Sequence, residues 1–227
     1  MKGTVTEMAA PVTENPAPMA SRSDLQLGRR AFHAANGTTI GAVYAVLVSQ
    51  IQVVRTFGTV ACLVYVADRI RIHYPELVER APWVNRYIVR AEEQFRESAM
   101  IPYVIGTLLT ILTFPKAVAI SAIWTLAIAD PLSAIVGIQW GSRRLLPNRT
   151  VEGSAAFFAA TCVVTLVALV VVAGNPWPTA LAASALVGLA AALFDLAPLR
   201  LDDNLTIPLF VGFVGWVVAA AFGLTLD

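Results

Sequence analysis

The chain has 227 residues, of which 57% are hydrophobic and only 14% are charged. An average soluble domain has about 25% charged residues, so this chain has too few polar side chains to cover a soluble surface. Sixteen basic and fifteen acidic residues leave a net charge of +1, which gives no excess to neutralise nucleic-acid phosphates. The composition therefore excludes a disordered chain, argues against a nucleic-acid partner and predicts an all-α, polytopic membrane bundle.

The N-terminal segment 1–24 contains prolines and no apolar periodicity, which predicts a disordered tail. It has no charged start followed by an apolar core, so we do not expect a signal peptide. The remainder, 25–227, is expected to form a single membrane-embedded domain. Cys62 and Cys162 lie in apolar runs without metal-site spacing, and we predict that both are small buried residues.

Seven apolar segments follow the tail, and each is a candidate transmembrane helix. Their ranges are 31–54, 56–70, 99–114, 116–140, 154–174, 179–197 and 205–225. The second and third are short for a bilayer that requires about 20 residues, which leaves their limits open. Between them, the charged and amphipathic residues 75–98 predict a helix at the membrane interface or a solvated connector.

Basic residues are distributed unevenly between the two sides that this arrangement defines. If the N-terminus is cytoplasmic and all seven segments span, fourteen Lys and Arg residues lie on the cytoplasmic side. Two, Arg55 and Lys116, lie on the other side. Because cytoplasmic loops carry an excess of Lys and Arg, the asymmetry predicts a multi-pass protein with a cytoplasmic N-terminus and a C-terminus on the opposite side.

Asp130 lies inside the fourth apolar segment and is followed by Pro131. A carboxylate there costs about 2.5–3.5 kcal/mol on insertion scales, and intramembrane acids are usually functional. Pro131 lacks a backbone donor and can kink or break the helix. We interpret Asp130 as a candidate catalytic and metal-binding residue. The structural alternative is a carboxylate hydrogen-bonded to Ser133 or to a neighbouring span.

The end of the fourth segment and the loop after it are rich in groups that bind phosphate. The candidate nucleotide-binding residues here are Gly137, Gly141, Arg143, Arg144, Arg149, Thr150, Gly153 and Ser154. Arginines pair with phosphate oxygens, glycines permit close backbone approach, and Glu152 adds a candidate metal ligand. The alternatives are a GxxxG packing motif at the first two glycines and a basic loop that contacts lipid headgroups.

Two further polar groups lie on the same predicted side. Asp203 and Asn204, within LRLDDNLTIP, can hold a divalent cation or orient a hydroxyl; alternatively, one of them caps the seventh helix. Arg30 and His33 are spaced i, i+3 and therefore share one face of the first helix. Arg30 and Asn204 are candidate nucleotide contacts. His33 is a candidate catalytic residue, although a lone histidine is usually a packing residue.

Four stretches of the sequence resemble a known family. They are RRAFHAANG (29–37), RAEEQFRESAMIPYVIG (90–106), ADPLSAIVGIQWGSRRLLPNRTVEGSAAFF (129–158) and LDDNLTIPL (201–209). Together they resemble the CTP-dependent lipid kinases, which include dolichol kinase, phytol kinase and the CTP-using diacylglycerol kinase. The third stretch is also similar to the signature of phosphatidate cytidylyltransferase, a more distant relative.

The resemblance implies that 25–227 is a catalytic domain that takes CTP and Mg²⁺ and phosphorylates the hydroxyl of a membrane lipid alcohol. Polyprenols such as dolichol, diacylglycerol and phytol are the acceptors that the family suggests. By the same resemblance, Asp130 and Glu152 hold the metal and the loop arginines stabilise phosphate charge. Asp203 or His33 then orients or deprotonates the lipid hydroxyl, and the active site faces the cytoplasm.

Two departures from the family pattern are present. Arg149 replaces the loop lysine and is followed by Thr150 instead of serine; arginine keeps the charge but offers a bidentate fork. Asp195 stands where the family commonly has the longer glutamate, and we leave it out of the predicted site. Two other functions remain open: a cytidylyltransferase that makes a CDP-linked lipid, and a non-enzymatic membrane transporter or scaffold.

Overall fold

The computed structural model describes residues 27–74, 98–199 and 201–226. Within these ranges the chain forms seven helices and one antiparallel hairpin. The helices are α1 Leu27–Val46, α2 Gln50–His73, α3 Met100–Thr113, α4 Lys116–Gln139, α5 Val151–Val172, α6 Trp177–Asp195 and α7 Asp203–Ala221; the hairpin strands are β1 Arg144–Leu146 and β2 Arg149–Thr150. The tail 1–24 and nearly all of the amphipathic segment 75–98 lie outside the described residues.

Five helices are long and apolar enough to cross a membrane, namely α2, α4, α5, α6 and α7. The 20-residue α1 is not apolar enough, because it carries two arginines, a histidine and an asparagine in its first half. The apolar α3 has 14 residues, which is short for a bilayer. The predicted helical fold with membrane-length helices is therefore confirmed as nearly all-α, with one short hairpin, whereas the number of seven spans stays a prediction.

The break between the first two helices differs from the sequence-based expectation. The predicted first segment, 31–54, is split, because α1 ends at Val46 and α2 begins at Gln50. The backbone N–H of Ser49 donates to Oε1 of Gln52 at 2.8 Å, which stabilises the start of α2. Gln50 and Gln52 therefore lie in the first turn of α2. This helix has 24 residues and is longer than the predicted second segment, 56–70.

One end of the bundle collects polar contacts between helix termini, and we call it the polar end. The end of α2 meets the start of α3 there, because the backbone N–H of Ser98 donates to Oδ2 of Asp68 at 3.2 Å. The start of α7 meets the same region, since Nδ2 of Asn204 donates to the carbonyl of Ala99 at 3.4 Å. The hairpin and the start of α5 also lie at this end.

The opposite end joins the remaining termini. The backbone N–H of Ala117, at the start of α4, donates to the carbonyl of Leu226 at 3.0 Å. The side chain of Asn175, between α5 and α6, donates to the carbonyls of Leu169 and Thr225 and accepts from the backbone N–H of Thr225. Successive helices therefore run in alternating directions between the two ends.

The core of the bundle is centred on α4, which is the most deeply buried of the five membrane-length helices. Alanines and branched aliphatic residues line it, and Phe157 of α5 is fully buried against it. On α1, a Cβ added to Gly41 would collide with the indole of Trp124, so the small residue lets α1 approach α4 closely. This close approach brings the start of α1 towards the half of α4 that contains Asp130.

The cysteines differ in their surroundings. Cys62 is exposed on α2, and Cys162 is partly buried on α5. The prediction that both are buried was therefore wrong for Cys62. The reason is that most of α2 does not pack against the rest of the described chain, so an apolar run there faces outwards.

Candidate functional site

Asp130 follows a π-helical turn, Thr125–Ala129, in the middle of α4. The backbone N–H of Asp130 donates to the carbonyl of Thr125, five residues earlier. Pro131 has no N–H, and its ring crowds the carbonyl of the preceding turn. The wider turn accommodates the proline, so α4 continues through this point instead of breaking. Single π turns of this kind are frequent at functional sites.

The carboxylate of Asp130 faces other charged groups. The hydroxyl of Ser133 donates to the backbone carbonyl of Asp130 at 2.9 Å. It therefore does not bond to the Asp130 carboxylate, which was one of the two partners that the structural alternative offered. Asp130 is partly buried and interacts electrostatically with two acids and two arginines. We call the five residues the acid–arginine cluster: Arg30, Asp130, Arg149, Asp195 and Asp203.

Arg149 is at the centre of the contacts within this cluster. Its Nη2 lies 2.8 Å from Oδ1 of Asp195 and 3.6 Å from Oδ2 of Asp203. The Arg149 side chain is 27% exposed, Asp195 is 2% exposed, and Asp203 is 52% exposed. Arg149 precedes α5, Asp195 ends α6 and Asp203 begins α7, so one guanidinium connects three helix termini. The cluster therefore extends from the buried carboxylate of Asp195 to the water-facing carboxylate of Asp203.

The cluster was predicted in part. The sequence singled out Arg30, Asp130, Arg149 and Asp203, which the fold brings together although 173 positions separate the first from the last. Asp195 was left out of the predicted site, because aspartate is one methylene shorter than the glutamate that is common in the family that the sequence resembles. Its low exposure and its pairing with Arg149 become visible only in the tertiary structure.

The side chain of Glu152 bonds to the loop after α4. Its Oε1 accepts from the hydroxyl of Ser142 at 2.5 Å, and its carboxylate also accepts from the backbone N–H of Arg143. These bonds fasten the first turn of α5 to the loop. The predicted sharing of a metal ion by Glu152 and Asp130 therefore requires the Glu152 side chain to leave these partners, and it stays a prediction.

The small residues around the loop pack two helices together. The Oγ1 of Thr150 accepts from the backbone N–H of Gly153 at 3.1 Å and so caps α5. A Cβ added to Gly153 would lie 2.9 Å from the carbonyl of Ser133, and one added to Gly137 would lie 3.1 Å from Oγ1 of Thr150. A Cβ on Gly141 would collide with the Gly137 carbonyl. The close approach predicted for these glycines is thus an approach of α4 to the start of α5.

The remaining loop residues are placed as follows. Arg143 and Arg144 are exposed, and Nη1 of Arg144 donates to the carbonyl of Pro147 at 3.0 Å. Ser154 lies in the first turn of α5, and its hydroxyl is buried without a hydrogen-bond partner among the residues that the structure describes. The two exposed arginines are available to solutes at the polar end.

The start of α7 corrects one expectation. The residue that caps this helix is Asp202, whose Oδ1 accepts from the backbone N–H of Asn204 at 2.9 Å. The alternative in which Asp203 or Asn204 is the cap was therefore wrong. The reason is that the helix begins at Asp203, one residue earlier than a cap at Asp203 requires, which leaves the Asp203 carboxylate for Arg149.

The first helix contributes His33 to the site region. Its ring lies 4.7 Å, centroid to centroid, from the ring of Tyr103 on α3, with the planes tilted by 58°. Arg30, one turn nearer the polar end, belongs to the acid–arginine cluster. The shared face predicted for Arg30 and His33 thus lies towards α3 and α4. Tyr103 was not singled out by its sequence, because an aromatic residue in an apolar helix carries no polar signal.

The acids of the cluster suit an open metal site better than a closed one. Across the described ranges, no three His, Cys, Asp or Glu side chains group closely enough to form a complete protein cage for a metal ion. Mg²⁺ in phosphoryl-transfer sites is normally held by one or two carboxylates plus substrate phosphates. Asp130 and one of its two neighbouring acids suit that more open kind of site.

The molecule is thus an all-α bundle with membrane-length helices and a cluster of charges at one end. It is similar to an uncharacterized protein of Rickettsia prowazekii (strain Madrid E), with 26% identity over 189 residues that cover 82% of this chain and 91% of that protein. The similarity therefore extends over most of both chains. No family model and no solved structure matches the chain.

Proposed function

We propose that this protein is a CTP-dependent kinase that phosphorylates the hydroxyl of a membrane lipid alcohol. The observation that carries the proposal is the acid–arginine cluster, in which five elements each supply one charged side chain. Charged groups in apolar helices are costly and are usually functional. Phosphoryl transfer needs mainly positioning and charge neutralisation, which a cluster of acids and arginines supplies.

In this proposal, Arg149 and Arg30 bind the nucleotide phosphates. Both ion pairs of Arg149 use Nη2, and a guanidinium has five N–H donors, so the other donors remain for phosphate oxygens. The partial exposure of Arg149 lets a nucleotide reach it from water. Arg143 and Arg144 on the exposed hairpin add positive charge near the entrance.

The carboxylates of Asp130 and of either Asp195 or Asp203 would hold Mg²⁺, and the ion would supply neutralisation of the phosphate charge. Asp203 is at the water-facing side of the cluster and would take the proton that the lipid hydroxyl loses when it bonds to the γ-phosphorus and CDP leaves, with His33 as the other candidate for this role. Gly137, Gly141, Thr150 and Gly153 support the proposal indirectly, because they hold the loop close to α4.

The proposed location of the site is the cytoplasmic face of a membrane. Fourteen of the sixteen Lys and Arg residues belong to the predicted cytoplasmic side, and the polar end collects Arg30, Arg149 and the hairpin arginines. Basic residues favour the cytoplasmic side of membranes. CTP would enter from the cytoplasm, and the lipid would arrive laterally from the bilayer.

The deciding experiment follows the label from CTP into lipid. Purified protein in lipid nanodiscs is incubated with Mg²⁺, a lipid alcohol (a polyprenol, diacylglycerol or phytol in turn) and CTP labelled at either the γ- or the α-phosphate. We expect γ-label in the lipid product. Transfer of the α-label would identify a cytidylyltransferase instead. No transfer of either label by folded protein would favour a transporter or scaffold.

A further inference from the structure

A buried hydroxyl lies next to the cluster without a partner. Tyr103 is 8% exposed, and its OH makes no hydrogen bond within the part of the chain that the structure describes. An unsatisfied buried hydroxyl costs about 1–3 kcal/mol. Phenylalanine would fill the same space without that cost, so the hydroxyl requires an explanation other than packing.

The surroundings of the Tyr103 OH are given by three elements. A Cβ added to Gly37 of α1 would lie 3.1 Å from this OH and 2.5 Å from Cβ of Ala127. Ala127 is three residues before Asp130 on α4, so it lies about one helical turn from it. The ring of His33 packs against the Tyr103 ring. The OH is therefore at the α1–α3–α4 junction, at a level about one turn of α4 further from the polar end than Asp130.

The depth of this hydroxyl suits the head of a lipid alcohol. Tyr103 is three residues after Met100, the first residue of α3, which is about 5 Å along the helix from the polar end. Tyrosine is typical of this interfacial depth, because its ring is apolar and its OH is polar. A lipid hydroxyl would also lie at that level, with its chain in the hydrocarbon.

We propose that Tyr103 is the acceptor-binding residue, whose phenolic O–H donates a hydrogen bond to the oxygen of the lipid hydroxyl. This inference rests on the proposed kinase function. The hydrogen bond holds that oxygen about one turn of α4 further from the polar end than Asp130 and directs its remaining lone pair towards a phosphate bound at the acid–arginine cluster. Tyr103 stays protonated throughout and transfers no proton, so its contribution is orientation.

The test uses Tyr103→Phe with Thr161→Val as a matched control. Thr161 of α5 is also a fully buried hydroxyl without a partner among the described residues. For Tyr103→Phe, we expect kcat/KM for the lipid alcohol to fall about threefold to tenfold, as the loss of a neutral hydrogen bond predicts. The KM for CTP should not change, and the melting temperature should not fall. Thr161→Val should leave both kinetic constants unchanged and, because it also removes an unsatisfied buried hydroxyl, should not lower the melting temperature.

Two results separate this inference from the function on which it rests. If the wild-type protein transfers γ-label and Tyr103→Phe keeps a lipid kcat/KM within twofold of wild type, Tyr103 is not the acceptor-binding residue and the kinase stands. If the wild type transfers no label, the kinase proposal fails. In that case, photolabelling with a hexadecanol that carries a diazirine beside its hydroxyl tests whether Tyr103 binds a lipid hydroxyl. Labelling of α1 or α3 that weakens in Tyr103→Phe supports the hydroxyl site, and equal labelling of both proteins refutes it.

Discussion

At the scale of single residues, the main feature is a buried acid held by a half-buried arginine. Asp195 is 2% exposed and relies on Arg149 for compensation of its charge. Taking a carboxylate out of water costs several kcal/mol unless it is paired. Asp203 shares the same Nη2 at a longer distance and is largely in water. Arg149 therefore stabilises the fold by pairing with Asp195, in addition to any contact that it makes with a ligand.

The substitution Asp130→Asn separates structure from catalysis. Asparagine is nearly isosteric and removes one of the three negative charges in the cluster, so the melting temperature should stay the same or rise. A neutral amide is a poor ligand for a divalent cation, so we expect kcat/KM to fall about hundredfold or more. Near-normal turnover at saturating Mg²⁺ would show that Asp130 has only a structural role.

Substitutions of Arg149 should affect both binding and stability. Arg149→Ala removes a charge-assisted hydrogen bond worth about 1.5–3 kcal/mol, so the KM for CTP should rise or kcat fall by about tenfold or more. It also leaves Asp195 buried and unpaired, so the melting temperature should fall. Arg149→Lys should be much milder in both assays, because the charge is kept.

The control for Arg149 is the double variant Arg149→Ala with Asp195→Asn. Neutralising Asp195 should restore much of the lost melting temperature, because no buried charge remains unpaired. It should not restore the KM for CTP. If Arg149→Ala leaves CTP kinetics unchanged at an equal level of folded protein, Arg149 does not bind the nucleotide.

At the scale of elements, the junction between α4 and α5 positions the site. Thr150 caps α5 through its bond to the N–H of Gly153, and Glu152 ties the first turn to the loop. These contacts fix the start of α5 and, directly before it, the backbone of Arg149. The polar groups that were predicted to bind phosphate at this junction are largely used to hold the helix start.

Variants of Thr150 distinguish capping from ligand binding. Thr150→Ala should lower stability by about 1 kcal/mol, as loss of a helix cap does, and Thr150→Ser should keep most of it. For Thr150→Ser, we expect the KM for CTP to stay within about twofold of the wild-type value. Steady-state kinetics and thermal unfolding of both variants check this. A large rise in the CTP KM without any loss of stability in Thr150→Ala would instead assign the hydroxyl to the nucleotide.

At the scale of the whole molecule, the alternation of helix direction separates two chemically different ends. The polar end holds the acid–arginine cluster and the hairpin, and the other end is closed by Asn175 and Thr225. Each membrane-length helix connects the two ends. This arrangement agrees with the charge asymmetry of the sequence, in which only Arg55 and Lys116 lie away from the predicted cytoplasmic side.

Cysteine labelling tests the sidedness directly. Single cysteines are introduced by Leu146→Cys in β1 and by Pro176→Cys between α5 and α6, in a chain whose Cys62 and Cys162 are replaced by serine and alanine. A membrane-impermeant maleimide should reach position 146 from the cytoplasmic side and position 176 from the opposite side. Labelling of both positions from one side would refute the alternating arrangement across the membrane.

The sequence by itself determined the helical class, most of the apolar segments and four residues of the cluster. Composition and run length suffice for this, because burial in a bilayer requires long apolar helices, and an acid such as Asp130 is conspicuous within one. Start points such as Gln50 were missed because a helix cap depends on local side-chain geometry that apolar periodicity does not report.

Only the tertiary structure decided which polar residues meet. Asp195 and Tyr103 have ordinary sequence surroundings, and their importance comes from low exposure and from neighbours on other helices. Conversely, Glu152 and Thr150 looked like ligand groups but bond to the adjacent loop and helix start. The sequence specifies which charges exist, whereas packing decides which are buried together, because burial depends on contacts between residues that are distant in the chain.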